Sequence, residues 1–222
     1  MKAIFSTLLL SCLFFACGGP EGVEAETGEA VADDPNTEVR TEASTQYLVD
    51  PTRSKIIWEG TKVIGGGHQG EIPVENGQLI VTNADKRLVA GQFAMDLRKM
   101  TNTDLPEEKA AQLIGHLQDG DFFEVEKYPM VNFDLKRIEP SESDEYTHEL
   151  TGNLTMKGKV NAITIPATIE ITNDQLIAKT PRFTIDRNDW GVSYNNSLTA
   201  PAKDAVISDD IGLEIELYAN RD

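Results

Sequence analysis

Leu150-Thr151-Gly152-Asn153-Leu154-Thr155-Met156, followed by Lys157-Gly158-Lys159 and an apolar-rich run from Val160 to Thr172, decides the fold of this chain. Leu150, Leu154 and Met156, with Gly152 between them, fall on alternate positions, a spacing that a strand gathers on one face and a helix scatters. Lys157-Gly158-Lys159 supplies a reversal, so the two runs should lie antiparallel. The same texture extends outward in both directions. Strands are expected near 54–64, 70–75, 78–82, 87–98, 130–139, 146–156, 160–172, 175–185 and 204–219. Asn76-Gly77 is a strong hairpin signal, and Asn83-Ala84-Asp85 and Asn173-Asp174 mark further turns.

A single segment has helical spacing. Asp104-Leu105-Pro106-Glu107 offers an N-cap, a proline in the first turn and an acid three residues after the cap. Ala110, Leu113, Ile114 and Leu117 then recur at i, i+3, i+4 and i+7, and Gly120 closes the run. About eight strands with short reversals and one helix imply a closed antiparallel barrel or a sandwich, because an open sheet of that size would leave two long edges. No internal repeat of fixed period is visible.

Period-2 alternation also sorts the side chains by face. Phe93, Met95 and Leu97 belong together, as do Val131, Phe133 and Leu135, and Ile211, Leu213, Ile215 and Leu217. Such an interior is either a filled core or a lipid-shaped cavity, and alternation does not distinguish them.

The chain has 222 residues and a formal net charge of −17, from 37 acidic and 20 basic side chains, which disfavours a nucleic-acid partner. With 40% hydrophobic residues it has enough apolar surface to close a core, so wholesale disorder is excluded.

The front end reads as an address. Met1-Lys2, the apolar run Ala3 to Phe15 and Ala16-Cys17 have the order of an export signal over 1–16, too short for a membrane span of about 20 apolar residues. Both cysteines, Cys12 and Cys17, fall here, which leaves the domain without a disulfide. Phe14-Phe15-Ala16-Cys17 resembles a bacterial lipoprotein box in which the cysteine is lipidated, with Phe14 in place of the usual Leu; Leu9-Leu10-Ser11-Cys12 fits better by letters but leaves an apolar run at the bottom of the usual range. From Gly18 to Thr45 there are eight acids and one cation, Arg40, so residues 17–46 are expected to form a solvated, disordered tether before a domain over 47–222. Gly18 is not the Asp that retains lipoproteins at the inner membrane, which favours the outer membrane of a bacterial envelope.

Motifs for chemistry are weak. Gly65-Gly66-Gly67-His68-Gln69-Gly70 satisfies G-x-G-x-x-G, but a strand-like, proline-interrupted Glu71-Ile72-Pro73-Val74 follows where a dinucleotide site needs a helix. His68, His116 and His148 have no partners at metal-ligand spacing, and no G-x-S-x-G elbow is present. Asp186-Arg187-Asn188-Asp189 lacks the Gly and terminal Glu of an EF-hand loop, and is expected to be a charged turn with Arg187 paired to neighbouring acids. No catalytic residues, metal or cofactor are expected, and the chain is read as a non-enzyme.

Four stretches together resemble the bacterial YceI family of polyisoprenoid-binding proteins. They are Tyr47-Leu48-Val49-Asp50-Pro51-Thr52-Arg53-Ser54-Lys55-Ile56-Ile57-Trp58 leading to His68-Gln69-Gly70; His116-Leu117-Gln118-Asp119-Gly120-Asp121-Phe122-Phe123 with Lys127-Tyr128-Pro129; Leu150 to Gly158; and Phe183-Thr184-Ile185-Asp186-Arg187-Asn188-Asp189-Trp190-Gly191. Their order suits the family across about 47 to 219, with Gln69 after His68 and Trp190 in place of a common Phe as departures. The resemblance implies an all-β, lipocalin-like barrel whose tunnel takes a long isoprenoid or fatty chain, a quinone or carrier-lipid tail among them. Trp58, Phe93, Met95, Leu97, Phe122, Phe123, Val131, Phe133, Leu135, Leu154, Met156, Phe183 and Trp190 become candidate tunnel walls, with His68, Asp186 and Arg187 at the mouth. It is also compatible with a homodimer. The competing reading is a structural or interaction lipoprotein with a filled core and a protein partner.

Overall fold

The structure is a computed structural model that describes residues 19–32 and 43–222. The expected signal over 1–16, Cys17 and the middle of the expected tether lie outside the described residues. The strands are β1 (Val23–Glu24), β2 (Glu26–Glu29), β3 (Ser44–Val49), β4 (Lys55–Lys62), β5 (Gly67–Thr82), β6 (Leu88–Asp96), β7 (Thr101–Asn102), β8 (Met130–Pro140), β9 (His148–Met156), β10 (Lys159–Ile171), β11 (Gln175–Lys179), β12 (Phe183–Asp186) and β13 (Ile207–Arg221), with helix α1 at Glu107–Gln118.

These strands close an antiparallel, lipocalin-like barrel of eight staves: β3 with β4, then β5, β6, β8, β9, β10, β11 with β12, and β13. The long β13 joins the ends. Its first part lies between β4 and β12, with Leu213 opposite Trp58 and Phe183, and its last part lies between β3 and β11. The β9–β10 pair turns at Lys157-Gly158, whose φ values of 49° and 75° suit the primed hairpin turns.

Asn76-Gly77 does not form a hairpin. β5 runs through it as one strand of 16 residues, with a register shift against β6 between Val74 and Asn76. The glycine answers a packing demand, since a Cβ there would lie 2.7 Å from both Phe93 Cβ and Val49 Cγ2. The expected strand over 175–185 is broken at Thr180-Pro181-Arg182, where Pro181 has no amide to donate to a neighbour. Asp104 does not cap α1; its carboxylate accepts from the Gln69 amide and lies 2.9 Å from His68 Nδ1.

The largest departure is in the acidic segment expected to be an unstructured tether. Residues 19–32 lie along the barrel as a strap. β1 pairs in parallel with β12, and β2 pairs antiparallel with β10, Glu26 opposite Thr164 and Glu29 opposite Asn161. The break after β11 leaves β12 separated from β10, and the strap fills that gap in the wall. Ala25 is buried with the core, and Val31 and Asn153 exchange two hydrogen bonds of 2.8 Å. The acids stay exposed on a strand held by main-chain bonds, so poor apolar content did not prevent pairing.

The half of the barrel around β3 and β11 is filled. Tyr47, Val74, Val81, Leu176 and Leu217 are buried there, and the Tyr47 hydroxyl donates to the Thr172 carbonyl at 2.8 Å. α1 lies at the other end, with Leu113, Ile114 and Leu117 packed against the core.

Candidate functional site

The inward stripes do not stay filled to the second end. On β13, Ile215 and Leu217 belong to the filled half, while Leu213 and Ile211, on the same face, line a cavity of about 690 Å³. That volume lies within the ~300–1,000 Å³ typical of small-molecule pockets. Its floor is aromatic. Phe93 and Phe133 meet with ring centroids 5.3 Å apart and planes at 32°, and Phe133 lies over Gly152, where a Cβ would be 2.2 Å from the ring. A strand without a side chain at that point lets the ring lie flat against the wall.

Above the floor the wall is made by Ile56, Trp58, Ile72, Met95, Leu97, Val131, Leu154, Met156 and Ile185. Trp58 is fixed by its indole N–H, which donates to the Thr101 carbonyl at 3.1 Å. Gly70 permits this crossing, since a Cβ there would fall 1.8 Å from the Thr101 oxygen and 2.7 Å from the Trp58 ring. The mouth is roofed by Leu113, His116 and Leu117 of α1, by Phe122 and Phe123, and by Val192 and Tyr194. His116 stands edge-on to both Phe122 and Tyr194, at 5.2 and 4.9 Å.

Polar groups are confined to the rim and one wall. Glu59, Lys62, His68, His116 and Arg187 reach the cavity. Arg187 is 1% exposed. Its expected pairing with acids is present as a long ion pair, while its Nε, Nη1 and Nη2 donate to the carbonyls of Ser208, Val192 and Ile207 at 2.9, 2.6 and 3.2 Å. Ile207 and Ser208 lie at a register shift between β13 and β4, so their carbonyls have no regular ladder and the guanidinium completes them. The Asp209 carboxylate is 3.9 Å away, and burial lowers the Arg187 pKa against the pull of Asp209 and Asp186.

A family model for the YceI-like domain matches residues 47–219. The chain belongs to the YceI family. Solved structures agree on the fold. Burkholderia cenocepacia BcnA superposes with a TM-score of 0.61 at 20% identity, over 77% of this chain and 99% of that one. A polyisoprenoid-binding domain from Saccharophagus degradans, implicated in plant cell wall breakdown, gives 0.57 at 14% identity, over 79% and 98%. A mutant of the Campylobacter jejuni YceI protein gives 0.50 at 24%, over 65% and 79%. Comparison with curated protein sequences returned no match.

In this YceI-family barrel, ten of the thirteen candidate wall residues line the cavity: Trp58, Phe93, Met95, Leu97, Phe122, Phe123, Val131, Phe133, Leu154 and Met156. Three do not. Phe183 is buried in the packed core, Trp190 is buried with its N–H donated to the Leu154 carbonyl at 2.9 Å, and Leu135 lies half-buried beyond the floor. His68 and Arg187 face the cavity, whereas Asp186 lines a separate acidic cleft. Alternation missed His116, Val192 and Tyr194 because they come from a helix and a loop, where it carries no signal.

The cleft lies where the strap meets β12 and β13, and gathers Glu24 and Glu26 of the strap with Asp186, Asp189 and Asp210. Burial raises the Asp210 pKa, and Asp186, Glu24 and Asp209 raise it further; Asp189 is raised by burial and Asp186 against the pull of Lys159. A carboxyl whose folded pKa is raised destabilises the folded state while ionised, and the penalty fades as pH falls through that pKa. Asp210→Asn should therefore raise thermal stability at neutral pH, by under about 1 kcal/mol because the group is exposed. The gain should vanish near pH ~4, where the unfolded carboxyl also protonates. Denaturation of both proteins across this range measures it, and a gain that grows on acidification would contradict the sign.

Proposed function

We propose that this chain holds the tail of a long-chain isoprenoid, or another long-chain lipid, in the half-empty barrel and does so without catalysis. The observation that carries this reading is the apolar cavity that opens at one end and stops on the Phe93–Phe133 floor. The relative from Saccharophagus degradans, described as a polyisoprenoid-binding domain, points the same way. Burial of about 0.8 kcal/mol per carbon gives a five-carbon isoprene unit on the order of 4 kcal/mol gross, from which ordering of the chain subtracts. A polar head, such as a quinone ring, would stay near Lys62, His68, His116 and Arg187. The filled-core alternative describes the other half of the barrel, not this one.

The protein is further read as an envelope lipoprotein, anchored through Cys17, with the outer membrane favoured. The test is to purify the full chain from bacteria, extract it and weigh what it carried by mass spectrometry. A lipid with a long apolar tail is expected, and adding prenyl lipid to the stripped protein should raise its melting temperature. Absence of both a lipid and a thermal shift would remove the reading. Cys17→Ser should move the protein from the membrane to the soluble fraction, and continued membrane association would show that the anchor lies elsewhere.

A further inference from the structure

The cavity wall is left and rejoined twice at its mouth. Lys62 and Gly66 line the cavity, and Val63, Ile64 and Gly65 project between them; Asn195 and Ala205 line it, and the loop carrying Leu198 projects between those. The two projections are neighbours, since the Val63 amide donates to the Val206 carbonyl at 3.1 Å and the Ile207 amide to the Asn195 carbonyl at 2.9 Å. Their large apolar side chains face water: Val63 is 44% exposed, Ile64 56% and Leu198 90%. Single exposed apolar residues are ordinary, but these three stand on the two loops that spring from the rim of an apolar cavity.

The strap leads to the same end. A Cβ at Gly19 would lie 3.1 Å from Ser208 Oγ, and Ser208 follows Ile207 of the cavity wall. Cys17 is two residues upstream, a reach of about 7 Å for extended chain. A flexible linker of the 28 residues from 18 to 45 would instead have let the barrel wander about 30 Å from its anchor. Pairing of β1 and β2 with the wall removes that slack at the anchor side.

We infer that the barrel mouth is a membrane-docking surface, on which Val63, Ile64 and Leu198 enter the interface of the bilayer that holds the lipid on Cys17. This rests on the anchor and cargo proposed above. Its occupant is a lipid surface, because the acyl chains on Cys17 and the exposed rim must meet water or bilayer within the same short reach. The protein's net charge of −17 opposes attraction to anionic headgroups, so the contact is apolar and is best sought on zwitterionic lipid.

The experiment uses the full chain, processed in bacteria and reconstituted on phosphatidylcholine vesicles, with an environment-sensitive fluorophore on Leu198→Cys or on Ser143→Cys. Ser143 is exposed in the β8–β9 turn at the far end of the barrel. Nitroxide-labelled phosphatidylcholine should quench the probe at 198 and leave the probe at 143 unquenched. The double variant Ile64→Asp, Leu198→Asp should still sediment with vesicles and still bind a fluorescent prenyl probe in detergent, but take that probe from vesicles about tenfold more slowly. A protein that sediments while 198 stays in water, or with both positions quenched alike, overturns the docking and spares the anchor. A protein that does not sediment overturns the anchor and the docking with it. Unchanged uptake by the double variant also counts against the proposal, whereas loss of detergent binding in the parent protein would instead sink the cargo reading.

Discussion

Arg187→Ala is expected to destabilise the barrel by about 3 kcal/mol or more, from buried acceptors left without a donor, against a total stability of ~5–15 kcal/mol. The loss has a definite origin. Three carbonyls, those of Val192 in the loop and of Ile207 and Ser208 at the β13 register shift, would lose the donors that the guanidinium supplies. Each orphaned buried acceptor costs about 1–3 kcal/mol. Arg187→Lys should recover little, because a single ammonium cannot place three donors in the fork that these carbonyls require. Chemical denaturation of both variants checks this: a loss below about 1 kcal/mol in the alanine protein would show that water satisfies the carbonyls instead. The same change should loosen the mouth, since the guanidinium carbon also lies 6.0 Å from the centre of the Phe122 ring.

Met95→Trp is expected to do the reverse, sparing the fold and closing the site. Met95 points into the cavity on β6, two residues beyond the floor residue Phe93. Its unbranched side chain can be replaced by an indole without overpacking, because the added volume enters space that is already empty. The indole takes room otherwise open to about one isoprene unit, worth on the order of 4 kcal/mol gross, so prenyl-lipid affinity should fall about a hundredfold after the entropic offset. Melting without lipid should stay level or rise, while the gain on adding prenyl lipid should disappear. If lipid still raises the melting temperature of Met95→Trp as in the parent, the tail binds somewhere else.

The barrel staves were legible because side-chain alternation is a local property, and β4, β6, β8, β9, β10 and β13 each display it. The misreadings concern what main-chain geometry or long-range packing decides. Asn76-Gly77 has the letters of a turn, but its glycine is required by Phe93 and Val49 across the sheet. Residues 23–29 lack the apolar content that marks a core strand, yet they pair through amides and carbonyls that every non-proline residue owns, beside a gap opened by Pro181. Within the site, alternation told inward from outward but not full from empty. Leu213 and Ile215 look the same in sequence, and only the packing of the barrel end puts the first on the cavity and the second in the core. Arg187 was legible as a cation among acids, with Asp209 3.9 Å away, but its hydrogen-bond partners were not, because backbone carbonyls have no letter.

The Phe93–Phe133 floor turns the barrel from a pipe into a thimble. A thimble measures: on the proposed function it would accept a fixed length of tail from one side and pass nothing through. Whatever part of a long chain exceeds that length must remain beyond the rim, where the only comfortable solvent is hydrocarbon. For a short tail the protein would be a carrier able to shield its cargo; for a long one it would be a clasp that grips the end of a molecule still rooted in its bilayer. Chain length alone would then decide whether the same protein can leave the membrane with its ligand.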